Sequence, residues 1–149
     1  MRAVARVYAG WGLSQTFYRE ELYRVLGYDS LESFVAGVWE KSFMKMDPHN
    51  VLAMLWTGQN ADLSANSTYN GDFDAALRGI QALTCIMPGS TGLFCTADDN
   101  EYDANLIPNA DFQPIESIWG HFAGRGINSA DNQFIDDNLR RLLALHIDR

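Results

Sequence analysis

The chain has 149 residues, 47% of them apolar, which suits one domain with an ordinary core and argues against disorder. Its 11 basic and 19 acidic residues leave a formal charge of −8, a field that repels nucleic acid and anionic membrane surfaces, so neither is expected as a partner. No apolar run approaches the roughly 20 residues that cross a bilayer, and Met1 to Gly10 lack the apolar stretch of a signal peptide, so a cytoplasmic protein is expected. Two cysteines, Cys85 and Cys95, make neither a disulfide framework nor a metal cluster. Asn66-Ser67-Thr68 fits the glycosylation pattern and, without a leader, reads as chance.

Residues 1–79 read as helical. After the glycine-rich lead-in Gly10-Trp11-Gly12, Ser14 caps a helix whose Tyr18, Leu22, Val25 and Leu26 recur at helical spacing until Gly27 takes the left-handed terminal position. Asp29 or Ser30 caps the next, with Leu31, Phe34, Val35 and Val38 as its apolar stripe and Trp39 and Phe43 widening it. Asp47-Pro48 opens a third, aspartate as cap and proline at the first helical position, and Val51, Leu52, Leu55, Trp56 and Gln59 continue one face. A loop from Asn60 to Gly71 ends the helical block.

Residues 80–149 alternate short apolar runs with helical ones, the pattern of a parallel sheet built from βαβ units. Leu83-Thr84-Cys85-Ile86-Met87 is the clearest strand, and its near-continuous apolarity predicts burial on both faces. Pro88-Gly89 stops it, Thr96 caps a helix through about Asn105, and Pro108-Asn109 turns into a strand over Ala110 to Ile115. A glycine-flanked loop then carries His121 in Ser117-Ile118-Trp119-Gly120-His121-Phe122-Ala123-Gly124. The last helix runs from about Ser129 to His146, with Asp131, Asp136 and Asp137 early and Arg140, Arg141 and Arg149 late, complementing its dipole.

Strand, loop, helix, strand, histidine loop and closing helix is the order in which an α/β-hydrolase ends, since its triad runs serine, acid, histidine along the chain. Asp47-Pro48, Leu52-Ala53-Met54-Leu55, Asp62, Tyr69-Asn70-Gly71-Asp72, Met87-Pro88-Gly89-Ser90-Thr91, Ile107-Pro108-Asn109-Ala110 and Trp119-Gly120-His121 resemble the carboxy-terminal half of homoserine O-acetyltransferase-like proteins. The resemblance covers nearly the whole chain. It implies the carboxy-terminal part of an α/β-hydrolase fold: a helical lid over 1–79, then the last parallel strands and closing helix over 80–149. It also implies ping-pong chemistry, in which a serine takes an acetyl group from acetyl-CoA and passes it to the hydroxyl of a small amino acid. Other proteins of that branch are plain hydrolases or acyltransferases with other acceptors. No bound cofactor or metal is implied, acetyl-CoA entering as acyl donor.

In this scheme His121 matches the general base, which takes the serine proton while a carboxylate holds its tautomer and backbone amides hold the oxyanion. Two parts are missing from these residues. No serine stands in a G-x-S-x-G frame, Gly89-Ser90-Thr91-Gly92 only imitating one. Where the family places its acid, in a Ser-Thr-Asp-Leu loop, this chain has Ser90-Thr91-Gly92-Leu93. Asp98 is the candidate substitute acid, with Asp99 beside it, although both also suit the first turn of a helix. Removing triad members costs on the order of 10⁴ to 10⁶ in turnover, so no acyl transfer is expected from this chain alone. Three alternatives stay open: a plain hydrolase when joined to a front half, a non-catalytic module that docks on a front-half partner or a second copy, and a truncated product without a role.

The remaining candidates have plainer readings. His49 lies in a first helical turn, and His146 ends a helix near its carbonyls. Trp11, Trp39 and Trp56 with Phe17, Tyr18 and Phe43 read as core rather than an acyl pocket. Arg6 and Arg19 read as solvated surface rather than a clamp for a substrate carboxylate.

Overall fold

The computed structural model describes residues 1–145. Helix α1 spans Arg2–Gly12, with Ala5, Ala9 and Gly12 buried along one side. The glycine-rich lead-in is therefore helical, and Gly12 is needed there because a Cβ would come within 2.2 Å of the Trp39 ring. Ser14 caps α2 (Gln15–Arg19) by accepting from Phe17 N at 3.0 Å. The expected continuation to Gly27 breaks at Glu21 (φ 55) and resumes as a 3-10 turn, Leu22–Arg24. That break carries Tyr23 into the core, where it stacks on Phe34. Gly27 does take a left-handed conformation, at φ 86.

The second predicted helix is one helical run in three segments: α3 (Leu31–Phe34), a π-helical stretch (Val35–Glu40) and α4 (Lys41–Phe43). Ser30 and Ser33 form a reciprocal capping box at its start. Phe34, Val35, Trp39 and Phe43 are buried against α1. Arg6 bridges the two elements rather than standing free in solvent: its guanidinium donates to Glu32, and its Nε donates to Glu40 at 2.7 Å.

Helix α5 (Pro48–Asn60) starts as predicted, the Asp47 carboxylate accepting from His49 N and Asn50 N. Its apolar face is not core. Val51 is the one buried residue of the helix, whereas Leu52 and Trp56 are 62% and 66% exposed. The aromatic residues expected inside therefore divide: Phe17, Trp39 and Phe43 are buried, and Trp11 and Trp56 face solvent. A short α6 (Phe73–Arg78), capped by Asp72, follows in a stretch without a helical apolar pattern.

Strands β1 (Thr84–Ile86) and β2 (Ala110–Phe112) pair in parallel with Thr84 opposite Ala110 and Ile86 opposite Phe112, and α7 (Ala97–Leu106) forms the crossover between them. Pairing resumes once, at Gly89 and Ile115. Both strands are half-buried rather than enclosed on both faces, since the described sheet has only these two strands and α8 (Ser129–Leu143) covers part of β1. Asn128 caps α8. The helix ends at Leu143, with Ala144 as its cap, short of the expected end at His146; His146 and Arg149 themselves lie outside the described residues. No helix of the described residues is long and apolar enough to cross a membrane.

One apolar cluster joins the two ends of the chain: Leu13, Phe17, Phe34 and Trp39 from the helical block pack with Trp119 and Phe122 from the histidine loop. The ring centroids of Phe17 and Trp119, and of Trp39 and Phe122, are each 5.3 Å apart. The helical block and the half-sheet thereby share a core at the point where the histidine turn sits.

Candidate active site

The histidine turn, Gly120–Phe122, is a single 3-10 turn entered through Gly120 at φ 57. Glycine is required there twice over. The backbone is left-handed, and a Cβ would stand 2.8 Å from Ser14 N. On the other side, a Cβ at Gly89 would stand 2.8 Å from Gly120 O, so the turn is wedged between the end of β1 and the α1–α2 junction.

Polar side chains fix the turn in that slot. Thr91 Oγ1 donates to Ser117 O at 2.7 Å and accepts from Gly120 N at 3.1 Å, spanning the turn from both ends. Ser90 Oγ accepts from Ser117 N at 3.3 Å. Ser117, itself buried, donates its hydroxyl to the buried Asp131 carboxylate on α8 at 2.7 Å and accepts from Trp119 N at 3.2 Å. From the helical block, Ser14 donates to Ile118 O. Sequence reasoning missed this frame. Ser90 and Thr91 look like a misspaced nucleophile elbow, but their hydroxyls hold the histidine loop, and nothing local in the sequence pairs Ser117 with Asp131.

Held this way, His121 projects into an open cleft of about 290 Å³ whose walls include Pro88, Gly89, Gly92, Cys95 and Asn100. The imidazole is exposed, and its ring lies against Phe94, centroids 5.1 Å apart. Phe94 is backed in turn by Tyr8 and Trp11 at 5.4 and 5.6 Å. Among the described residues no hydrogen bond joins His121 to a serine hydroxyl or a carboxylate.

Gly92 stands in the same cleft wall as His121. Its φ is not left-handed, and a Cβ there would lie 3.1 Å from Gly89 O, so the backbone at 92 admits a side chain after a small adjustment. Asp98 and Asp99 occupy the first turn of α7 and are exposed. Asp99 is engaged by its own cap, accepting from Thr96 Oγ1 at 2.6 Å while its N–H donates back to that oxygen at 3.2 Å. Asp98 makes no side-chain hydrogen bond among the described residues and does not line the cleft. His121 and Gly92, where the resemblance implies an acid, thus line the same cleft, and Asp98 does not. The described residues contain no cluster of three or more metal-ligating side chains.

This arrangement presents a rigidly mounted, solvent-accessible imidazole against an aromatic wall. It can take a proton from a hydroxyl placed in the cleft and return it to a leaving group.

No family model matches the chain. Over 140 residues it is 36% identical to an ethyl acetate hydrolase of Pseudomonas veronii, covering 94% of this chain and 40% of that one. It is 34% identical over 142 residues to a probable esterase of Corynebacterium glutamicum, covering 95% and 40%. Among solved structures, the acetyl esterase MekB superposes with a TM-score of 0.91 at 35% identity, and an acetylester hydrolase from Corynebacterium glutamicum with 0.90 at 33%. Each covers 97% of this chain and 41% of the other. The chain thus spans about 40% of the length of the relatives it matches. It has the fold of the carboxy-terminal part of an α/β-hydrolase, and the proteins it resembles along nearly its whole length are ester hydrolases.

Proposed function

We propose that these residues are the general-base part of a serine ester hydrolase acting on small acyl esters, with His121 as the base. The observation that carries the reading is the mounting of His121: a turn locked by Thr91, Ser117 and two glycine contacts, with the imidazole left open to a cleft. In this reading residues 80–149 carry the base, residues 1–79 cover the site, and the attacking serine and oxyanion donors come from polypeptide matching the other part of the relatives. The homoserine O-acetyltransferase resemblance concerns the same part of the fold and differs in what accepts the acyl group. The ester-hydrolase names of the relatives favour water over an amino-acid hydroxyl, and an ester over acetyl-CoA as donor.

By itself the 149-residue chain is inactive in this reading, because neither nucleophile nor acid meets His121. The test is a chimera in which this chain replaces the matching 40% of the Pseudomonas veronii ethyl acetate hydrolase, assayed beside the chain alone on p-nitrophenyl acetate. The chimera is expected to turn over the ester slowly, since Gly92 supplies no triad acid, and to lose at least about tenfold in kcat on His121→Ala. The chain alone and its His121→Ala variant are expected to match background. A folded chimera indifferent to His121, or His121-dependent turnover by the chain alone, refutes the proposal.

A further inference from the structure

A second groove, sharing no wall residue with the His121 cleft, lies between the π-helical stretch, α4 and the loop after the histidine turn, with a volume of about 360 Å³. Its walls are mainly apolar: Val38, Trp39, Phe43, Met46, Phe122 and Ile127, of which Trp39, Phe43 and Phe122 belong to the core. Two polar groups interrupt them, the Ser42 hydroxyl and the guanidinium of Arg125.

Arg125 differs from the other described arginines, of which Arg19 donates to Thr16 and the rest pair with carboxylates. Arg2, Arg6, Arg24, Arg78, Arg140 and Arg141 each pair with a carboxylate, as a chain of charge −8 readily allows. The Arg125 guanidinium has no acidic partner and no hydrogen-bond acceptor among the described residues. Instead its guanidinium carbon lies 4.5 Å from the Phe122 ring centroid. That contact holds the guanidinium over the aromatic ring while its N–H groups make no hydrogen bond among the described residues. A guanidinium fork matches a carboxylate through two parallel hydrogen bonds. A groove of this volume, apolar with one polar anchor at its rim, has the make-up of a small-molecule site.

We propose that this groove binds an amphipathic monocarboxylate, its carboxylate on Arg125 and its alkyl or aryl tail against Trp39, Phe43 and Met46. A single cation favours a monoanion over a phosphate, and the apolar walls favour a tail over a free inorganic ion. The acidic surroundings repel anions elsewhere on the surface, so the groove is distinguished by charge as well as by shape. The inference stands on this groove alone and does not depend on the ester-hydrolase reading.

Isothermal titration calorimetry of the 149-residue protein with hexanoate, beside neutral hexanamide, tests it. Saturable hexanoate binding is expected, weakened at least about tenfold by Arg125→Gln and by exchange for hexanamide, the size of a lost charge-assisted hydrogen-bond pair. Arg19→Gln, which removes a surface arginine bonded to Thr16, is expected to leave binding unchanged. Met46→Glu sets a like charge at the groove wall and is expected to abolish binding, and both Arg125 and Met46 are exposed, so circular dichroism should match the parent. No saturable hexanoate binding, equal affinity for hexanamide, or an Arg125→Gln variant binding like the parent would each overturn the proposal.

Discussion

Thr91→Val separates a hydroxyl that holds the histidine turn from one that merely fills space. Valine keeps the shape and removes both bonds, leaving Ser117 O and Gly120 N, which Thr91 now satisfies at 2.7 and 3.1 Å, without that partner. Each such bond contributes about 1 kcal/mol net, and a buried group left unsatisfied costs about 1–3 kcal/mol. These two groups are partly buried, so the sum is about 2–4 kcal/mol. With a urea slope of roughly 1–3 kcal/mol/M for a protein of this size, the unfolding midpoint falls by about 1–2 M. Urea titration followed by tryptophan fluorescence reads this directly, since Trp119 stands in the affected turn. Thr91→Ser, which restores both bonds and loses only a methyl group, should stay within about 1 kcal/mol of the parent. If valine and serine variants unfold together at the parent midpoint, the hydroxyl does not hold the turn, and the account of how His121 is mounted fails.

In the chimera described above, Gly92→Asp should raise kcat by at least about tenfold, since a carboxylate at 92 would stand in the same cleft wall as His121, and loss of a triad acid costs on the order of 10⁴; an unchanged or lower kcat in a folded variant would show that residue 92 does not reach the imidazole. Alkaline pH offers a separate check on the helical block. Burial raises the Tyr18 phenol from 10 to about 12, the Trp39 indole opposing it, and its hydroxyl donates to Ala9 O. The folded state therefore holds this proton more tightly than the unfolded state. The associated stability is complete below pH 10 and is lost as the pH rises through about 12. Urea midpoints measured across that window should fall with pH in the parent and fall less steeply in Tyr18→Phe, with Tyr23 and Cys85, raised by burial, and Tyr102, raised by its hydrogen bond to Asp74, contributing to the remaining slope. Equal slopes would remove Tyr18 from the account.

Signals carried by neighbouring residues were legible in the sequence: Ser14, Ser30, Asp47 and Thr96 as caps, Gly27 as a left-handed terminus, the βαβ order, and a histidine presented by a glycine-flanked loop. Each depends on backbone groups within a few residues, which local propensity and hydrogen bonding decide. Tertiary packing decided the rest. Gly12 sits inside a helix because the Trp39 ring needs the space, and the run after Arg19 breaks at Glu21, which lets Tyr23 meet Phe34. The stripe of α5 satisfies helical periodicity yet stays exposed, since periodicity records which face is apolar and not whether anything covers it. The site divides in the same way. His121 is singled out as a candidate by its loop together with the family resemblance, but its mounting depends on Thr91, Ser14 and Asp131, which lie 30, 107 and 10 residues from it in the sequence and converge only when β1, the α1–α2 junction and α8 pack around one turn.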